Sequence, residues 1–193
     1  MSRNREFDEK VVLRKAMELF WKQGYEKTSM QDLVDYMGIH RRSIYDTFGD
    51  KRSLFLASLN YYETFVIETF TGIISNSTTV KKAVRDVFNY VIQSAELDVY
   101  PTGCLSVNAA VELSLLDQDI KHIVTKMFED TEVMFEQMLE EGRKKGELNE
   151  ELNPQITAQF LHNNLVGLRV MVKTNYSKEK LESILDLMLK VLD

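Results

Sequence analysis

Apolar residues recur at helical spacing along most of this chain, and polar punctuation cuts the pattern into about nine segments. Val12, Ala16, Leu19 and Phe20 form one stripe of a first helix, about Phe7 to Lys22, which Gly24 stops. Thr28 and Gln31 have capping-box spacing at the start of a second helix. Its apolar residues Met30, Leu33, Val34 and Met37 follow at i, i+3, i+4 and i+7, and Gly38 supplies the left-handed residue that ends it. A third short helix is expected over about His40 to Thr47, and Asp50 is placed to cap a long fourth through about Ile74. After the polar connector 75–79, a fifth helix is expected over about Val80 to Ala95. Tyr100-Pro101-Thr102-Gly103 interrupts the chain before a sixth, about Cys104 to Leu115, apolar enough to be expected buried on most sides. Asp117 can cap a seventh that Gly146 ends, Asn153-Pro154 opens an eighth reaching about Thr174, and Ser177 opens a ninth. With no sustained strand alternation, the expectation is an all-α fold, a three-helix unit over 1–50 followed by a larger helical unit over 51–193.

Composition narrows the classes. Of 193 residues, 44% are hydrophobic and 28% charged, too much apolar surface for a disordered chain. Gly 8 and Pro 2 are too few for a turn-rich all-β architecture. A single Cys excludes an internal disulfide and fits a reducing compartment. No run approaches the ~18 apolar residues of a membrane span, and the start, MSRNREFDEK, has no apolar segment of a secretory signal. A cytoplasmic protein without membrane association is expected. The net charge of −6 divides into +2 over residues 1–60 and −8 over 61–193. Acidic chains are repelled by phosphates, yet a slightly basic unit can bind DNA if its cations share one face.

Residues 28–48 have the spacing of a helix-turn-helix, the second helix in the recognition role. Ile44 and Phe48, four apart, can pack inward, which leaves Arg42, Ser43, Tyr45 and Asp46 away from that stripe. His40 and Arg41 stand at the amino end, where such helices approach base edges. Lys51 and Arg52 lie in the first turn of the fourth helix, whose free N–H groups favour a phosphate oxygen. A helical hairpin with a solvated charged face has the same spacing.

Thr28-Ser29-Met30-Gln31-Asp32-Leu33, Met37-Gly38-Ile39, Ser43-Ile44-Tyr45-Asp46-Thr47-Phe48 and Asp50-Lys51 together resemble the amino-terminal domain of the tetracycline-repressor (TetR/AcrR) family. The likeness covers about the first 60 residues and includes a first helix with Leu-Phe near its end and Gly-Tyr after it. Gly103-Cys104-Leu105 with Asn108, Glu112 and Leu113 resembles one regulatory subtype. The resemblance implies a dimeric transcription regulator, usually a repressor, on a near-palindromic double-stranded operator and released by a small-molecule inducer. By position, Thr28 and Ser29 would contact phosphate, His40, Arg41, Ser43 and Tyr45 would face DNA, and Lys51 would hold backbone. Position 42, often small in the family, is Arg here, and position 46, often His, is Asp. Arg42 could read guanine bidentately or pair with Asp46, and Asp46 could accept from a cytosine amine.

The larger unit then carries dimerisation and ligand binding. Dimer contacts are expected from Ile156, Phe160, Leu165 and Leu168 on the eighth helix and from Leu185 and Met188 on the ninth, although both faces could bury within one protomer. An inducer site is expected among Asn108, Glu112 and His162 with Phe65 and Phe128, polar groups on apolar helices being costly unless bonded. His40, His122 and His162 have no metal-ligand spacing, and Cys104 has no second Cys. No metal, cofactor or catalytic group is expected. Cys104 fits inert packing or a thiol sensor. A helical interaction protein without DNA binding, or a helical enzyme using a central cavity, are the competing readings.

Overall fold

The computed structural model describes residues 7–94, 103–174 and 177–193. Among them run nine α-helices: α1 (Glu9–Gln23), α2 (Met30–Met37), α3 (Arg41–Phe48), α4 (Lys51–Ser75), α5 (Val80–Ser94), α6 (Leu105–Leu113), α7 (Gln118–Lys144), α8 (Pro154–Met171) and α9 (Lys178–Met188). A 3-10 turn, Leu189–Leu192, follows. The helix ends lie where short polar side chains satisfy free N–H groups. Asp8, Asp50, Asp117, Asn153 and Ser177 each accept from the first turn of the helix that follows. The expected break at Tyr100, Pro101 and Thr102 and the end of the fifth helix at Ala95 lie outside the described residues.

One cap differs from expectation. Ser29, not Thr28, opens α2: its Oγ accepts from Asp32 N at 3.1 Å, and Asp32 Oδ2 accepts from Ser29 N at 2.8 Å. Thr28 is buried and donates its hydroxyl to Gly24 O at 2.6 Å, while Gln31 donates to Asp35. Both residue pairs have capping spacing, and burial of the Thr28 methyl against the first core selects the register.

Phe20 and Phe55 meet edge to face at 5.0 Å and, with Leu33, Met37, Ile44 and Leu54, form the core under α1–α3 and the start of α4. α4 then continues into the larger unit, where Tyr62, Val66 and Phe70 pack inward beside α5 and α7. The second core is built from Val84, Val87 and Phe88 of α5, Val124, Phe135 and Leu139 of α7, Leu161 and Leu165 of α8, and Leu181 and Leu185 of α9. α5 and α7 approach so closely at Gly142 that a Cβ there would lie 2.5 Å from Val80 Cγ2. α6 is buried on most sides, as expected, through Leu105, Ser106, Val107, Ala109 and Leu113, and exposes Val111, while Leu115 and Leu116 after it are exposed.

The candidate DNA interface and its link to the larger unit

α3 sits on the protein through Ile44, which is fully buried, and Phe48, which is half-buried. Gly38, left-handed at φ 73°, ends α2 and sends the chain into α3. His40, Arg41, Arg42, Tyr45 and Asp46 are exposed on the opposite side, and Ser43 lies half-buried at its edge. Arg42 Nε is 3.6 Å from Asp46 Oδ2, one turn on, with both side chains in solvent. The free protein therefore holds the pairing alternative for Arg42, a bond weak enough to exchange for a base.

Ser29 stands exposed at the start of α2. Thr28, expected beside it at a phosphate, is beneath the surface with its hydroxyl spent on Gly24, so its side chain supports this face from inside. Lys51 Nζ lies 4.2 Å from the centroid of the Tyr25 ring, at the start of α4. Arg52 faces elsewhere. Its guanidinium donates to Asp117 at 2.7 and 3.0 Å and to Asp119 at 2.6 Å, clamping the start of α4 to the start of α7. That hydrogen bonding holds the Asp117 carboxyl down to about 2.

The five residues expected around an inducer separate into two places. Asn108 and Glu112, one turn apart on α6, face α1 rather than the second core. The Glu112 carboxylate accepts from Tyr25 N at 3.0 Å and Glu26 N at 2.8 Å, two donors of the α1–α2 connection. Asn108 donates to Trp21 O at 3.4 Å and accepts from Lys173 Nζ at 2.9 Å. Spacing put the two on one face, and packing turned that face to the smaller unit.

Phe128 and His162 do meet, rings 5.2 Å apart. Burial pushes the His162 imidazole below its usual value against the pull of the Glu132 carboxylate, whose Oε1 lies 3.0 Å from Nδ1. Phe128 lines a void of about 10 Å³ with Tyr62, Glu63 and Arg169. Phe65 lines a neighbouring void of about 20 Å³ with Trp21, Tyr62, Phe70, Tyr90 and Arg169. Arg169 belongs to both walls and was missed from sequence. Its signal was legible: Leu161, Leu165 and Arg169 follow at i, i+4 and i+8, which places a cation on the buried stripe of α8. Its Nη1 donates to Cys104 Sγ at 3.0 Å, and its guanidinium lies 5.4 Å from the Phe70 ring centroid. Burial would push the Cys104 thiol up, but Arg169 and the Ser106 hydroxyl, 2.9 Å away, outweigh it and bring the thiol below its usual value.

The expected dimer residues also divide. Ile156 and Phe160 are exposed on α8, joined by Val170 and by Ile184 and Leu187 of α9. Leu165, Leu168, Leu185 and Met188 are buried within the protomer, and Leu168, Leu185 and Met188 line a groove of about 180 Å³ between α8 and α9. Both helices are apolar on more than one side, and only the second core decides which side turns inward.

These features define an all-helical protein in which a helix-turn-helix unit is bonded to a larger helical unit through α4 and α6. Residues 12–58 match the sequence family described as "Bacterial regulatory proteins, tetR family", and residues 81–188 match "Tetracyclin repressor-like, C-terminal domain". The chain belongs to the TetR family of bacterial transcriptional regulators. It is 32% identical to the uncharacterized HTH-type transcriptional regulator YezE of Bacillus subtilis across 100% of both chains. It is 29% identical to the HTH-type transcriptional repressor ComR of Escherichia coli, over 92% of this chain and 85% of that one. Among solved structures it resembles a cysteine-substituted TetR family regulator CifR complexed with a 26-base-pair double-strand operator. That match has TM-score 0.89 and 25% identity, over 99% of this chain and 100% of that one. No helix among the described residues is long and apolar enough to cross a membrane.

Proposed function

We propose that this protein is a dimeric repressor that leaves a near-palindromic operator when a small-molecule inducer enters its larger unit. The observation that carries the reading is the outer face of α3. Ile44 anchors the helix, and His40, Arg41, Arg42, Ser43 and Tyr45 present hydrogen-bonding groups outward. Ser29 and Lys51 flank that face and supply phosphate contacts. Residues 1–50 read the duplex, residues 51–193 hold ligand and partner, and the protein works where the duplex is, in the cytoplasm. The resemblance to a regulator solved with its operator supports the reading. Two protomers join through Ile156, Phe160, Val170, Ile184 and Leu187, the apolar residues that α8 and α9 leave in solvent.

Fluorescence anisotropy with the DNA upstream of the protein's own reading frame tests the proposal. Arg41→Ala should cost about 1–3 kcal/mol and relax preference at one base position, whereas Lys51→Ala should weaken every duplex alike and lower the salt slope by about 1. If both variants bind as the wild type does, α3 is not the reading helix.

A further inference from the structure

Among the described residues, Arg169 meets no anionic oxygen. It is nine-tenths buried, at 6% exposure, and a guanidinium stays charged at any physiological pH. It carries five N–H donors. Among the described residues its one hydrogen bond goes to the Cys104 sulfur, a weak acceptor, and its other close partner is the face of Phe70. No carboxylate among the described residues pairs with it. A charge in that position destabilises the free protein unless something completes its shell.

The two voids beside it differ in character. The smaller contains Glu63 in its wall, whose carboxyl is pushed up by burial and by the neighbouring Asp130. An anion entering there meets acid. The larger is walled by Trp21, Tyr62, Phe65, Phe70, Tyr90 and the Arg169 head, with no acidic group among the described residues. An aromatic sleeve closed at one end by a guanidinium that meets no carboxylate among the described residues selects a flat apolar body bearing a carboxylate.

Resting on the repressor reading above, we infer that the inducer is an arylcarboxylate, its carboxylate on Arg169 and its ring in the void among Trp21, Tyr62, Phe65 and Phe70. At about 20 Å³ the void holds roughly one water, so a ligand enters only by moving the wall. That requirement is what makes the site responsive: ligand binds the opened form alone and draws the population to it. The wall that moves includes Trp21 of α1, whose carbonyl accepts from Asn108 and which precedes Tyr25 and Glu26, the residues held by Glu112. Entry of the ring therefore loads the joint between α6 and the helix-turn-helix.

The test is calorimetry on the full-length protein with benzoate, phenylacetate and 3-phenylpropionate, and with phenylacetamide as the neutral isostere. At least one carboxylate should bind saturably, and phenylacetate should bind about 10–100-fold tighter than its amide, the ratio expected of hydrogen bonds to a charged group over neutral ones. Arg169→Met should fold, because an apolar side chain replaces a buried charge, and should erase the preference; Arg169→Lys should retain part of it. Operator binding is measured alongside without ligand. An Arg169→Met protein that holds DNA but ignores carboxylates supports the inference. Failure of all three carboxylates, or equal binding of acid and amide, overturns it while leaving the repressor reading intact. Loss of wild-type DNA binding overturns that reading and leaves the calorimetric result to stand alone. Rapid alkylation of Cys104 by iodoacetamide at neutral pH, lost in Arg169→Met, also overturns the inference, since a thiolate would then already be the counter-ion.

Discussion

Replacing Glu112 with alanine removes the acceptor for two backbone N–H groups at once. Tyr25 N and Glu26 N would each lose a carboxylate oxygen, at 3.0 and 2.8 Å. Both belong to the connection after α1, where Gly24 at φ 82° has turned the chain. A hydrogen bond to a charged group contributes about 1.5–3 kcal/mol. The Glu26 bond is exposed and the Tyr25 bond only part-buried, so water recovers much of the loss. A net destabilisation of about 1–2 kcal/mol is expected. Glu112→Gln keeps one acceptor oxygen and should cost about half as much. Urea denaturation measures the sum, and hydrogen exchange locates it: protection should fall at Tyr25 and Glu26 and not in the core of α7. The coupling has a second readout. With α6 released from α1, an inducer should shift operator affinity less than it does in wild type, and operator DNA should shift inducer affinity less by the same factor, as linkage requires. An alanine variant with an unchanged urea midpoint and unchanged exchange at Tyr25 and Glu26 would refute the reasoning.

Three further outcomes are expected. Asp117 is held at about 2 against an ordinary 3.8 by the Arg52 guanidinium. Its folded value is the lower one, so its contribution is present above 3.8 and is lost as pH falls toward about 2. Asp117→Asn should flatten the urea midpoint between those limits, and an unchanged acid limb would rule this pair out as its source. Gly142→Ala places a methyl 2.5 Å from Val80 Cγ2 and 3.1 Å from Leu148 Cδ1. Overpacking of about 1–3 kcal/mol should outweigh the helix-propensity gain of about 1 kcal/mol. Adding Val80→Ala should restore part of the melting temperature, and a single variant as stable as wild type removes the steric argument. Phe160→Asp with Leu187→Asp should yield a folded monomer by sedimentation that has lost paired half-site binding; a persistent dimer would mean these residues are not the interface.

Arg52 shows how far local pattern carries. Its place in the first turn of α4 suits a phosphate, yet its partners Asp117 and Asp119 lie 65 and 67 positions away, beyond any periodicity argument. Arg169 differs in kind: its stripe position on α8 was readable, but its neighbours, Phe70 of α4 and Cys104 ahead of α6, are brought there only by packing.

What the chain dictates locally are the helices, their ends and the outward side of α3. Caps, left-handed glycines and a stripe as short as Ile44 to Phe48 act within a few residues, where hydrogen-bond geometry and the 3.6-residue turn leave little choice. Tertiary packing decided the rest: Ser29 over Thr28 as cap, Asn108 and Glu112 toward α1, Leu165 and Leu185 inward with Phe160 and Leu187 left outside. Helices apolar on several sides have no preferred facing of their own. The second core selects one, because side chains fill its volume in that arrangement.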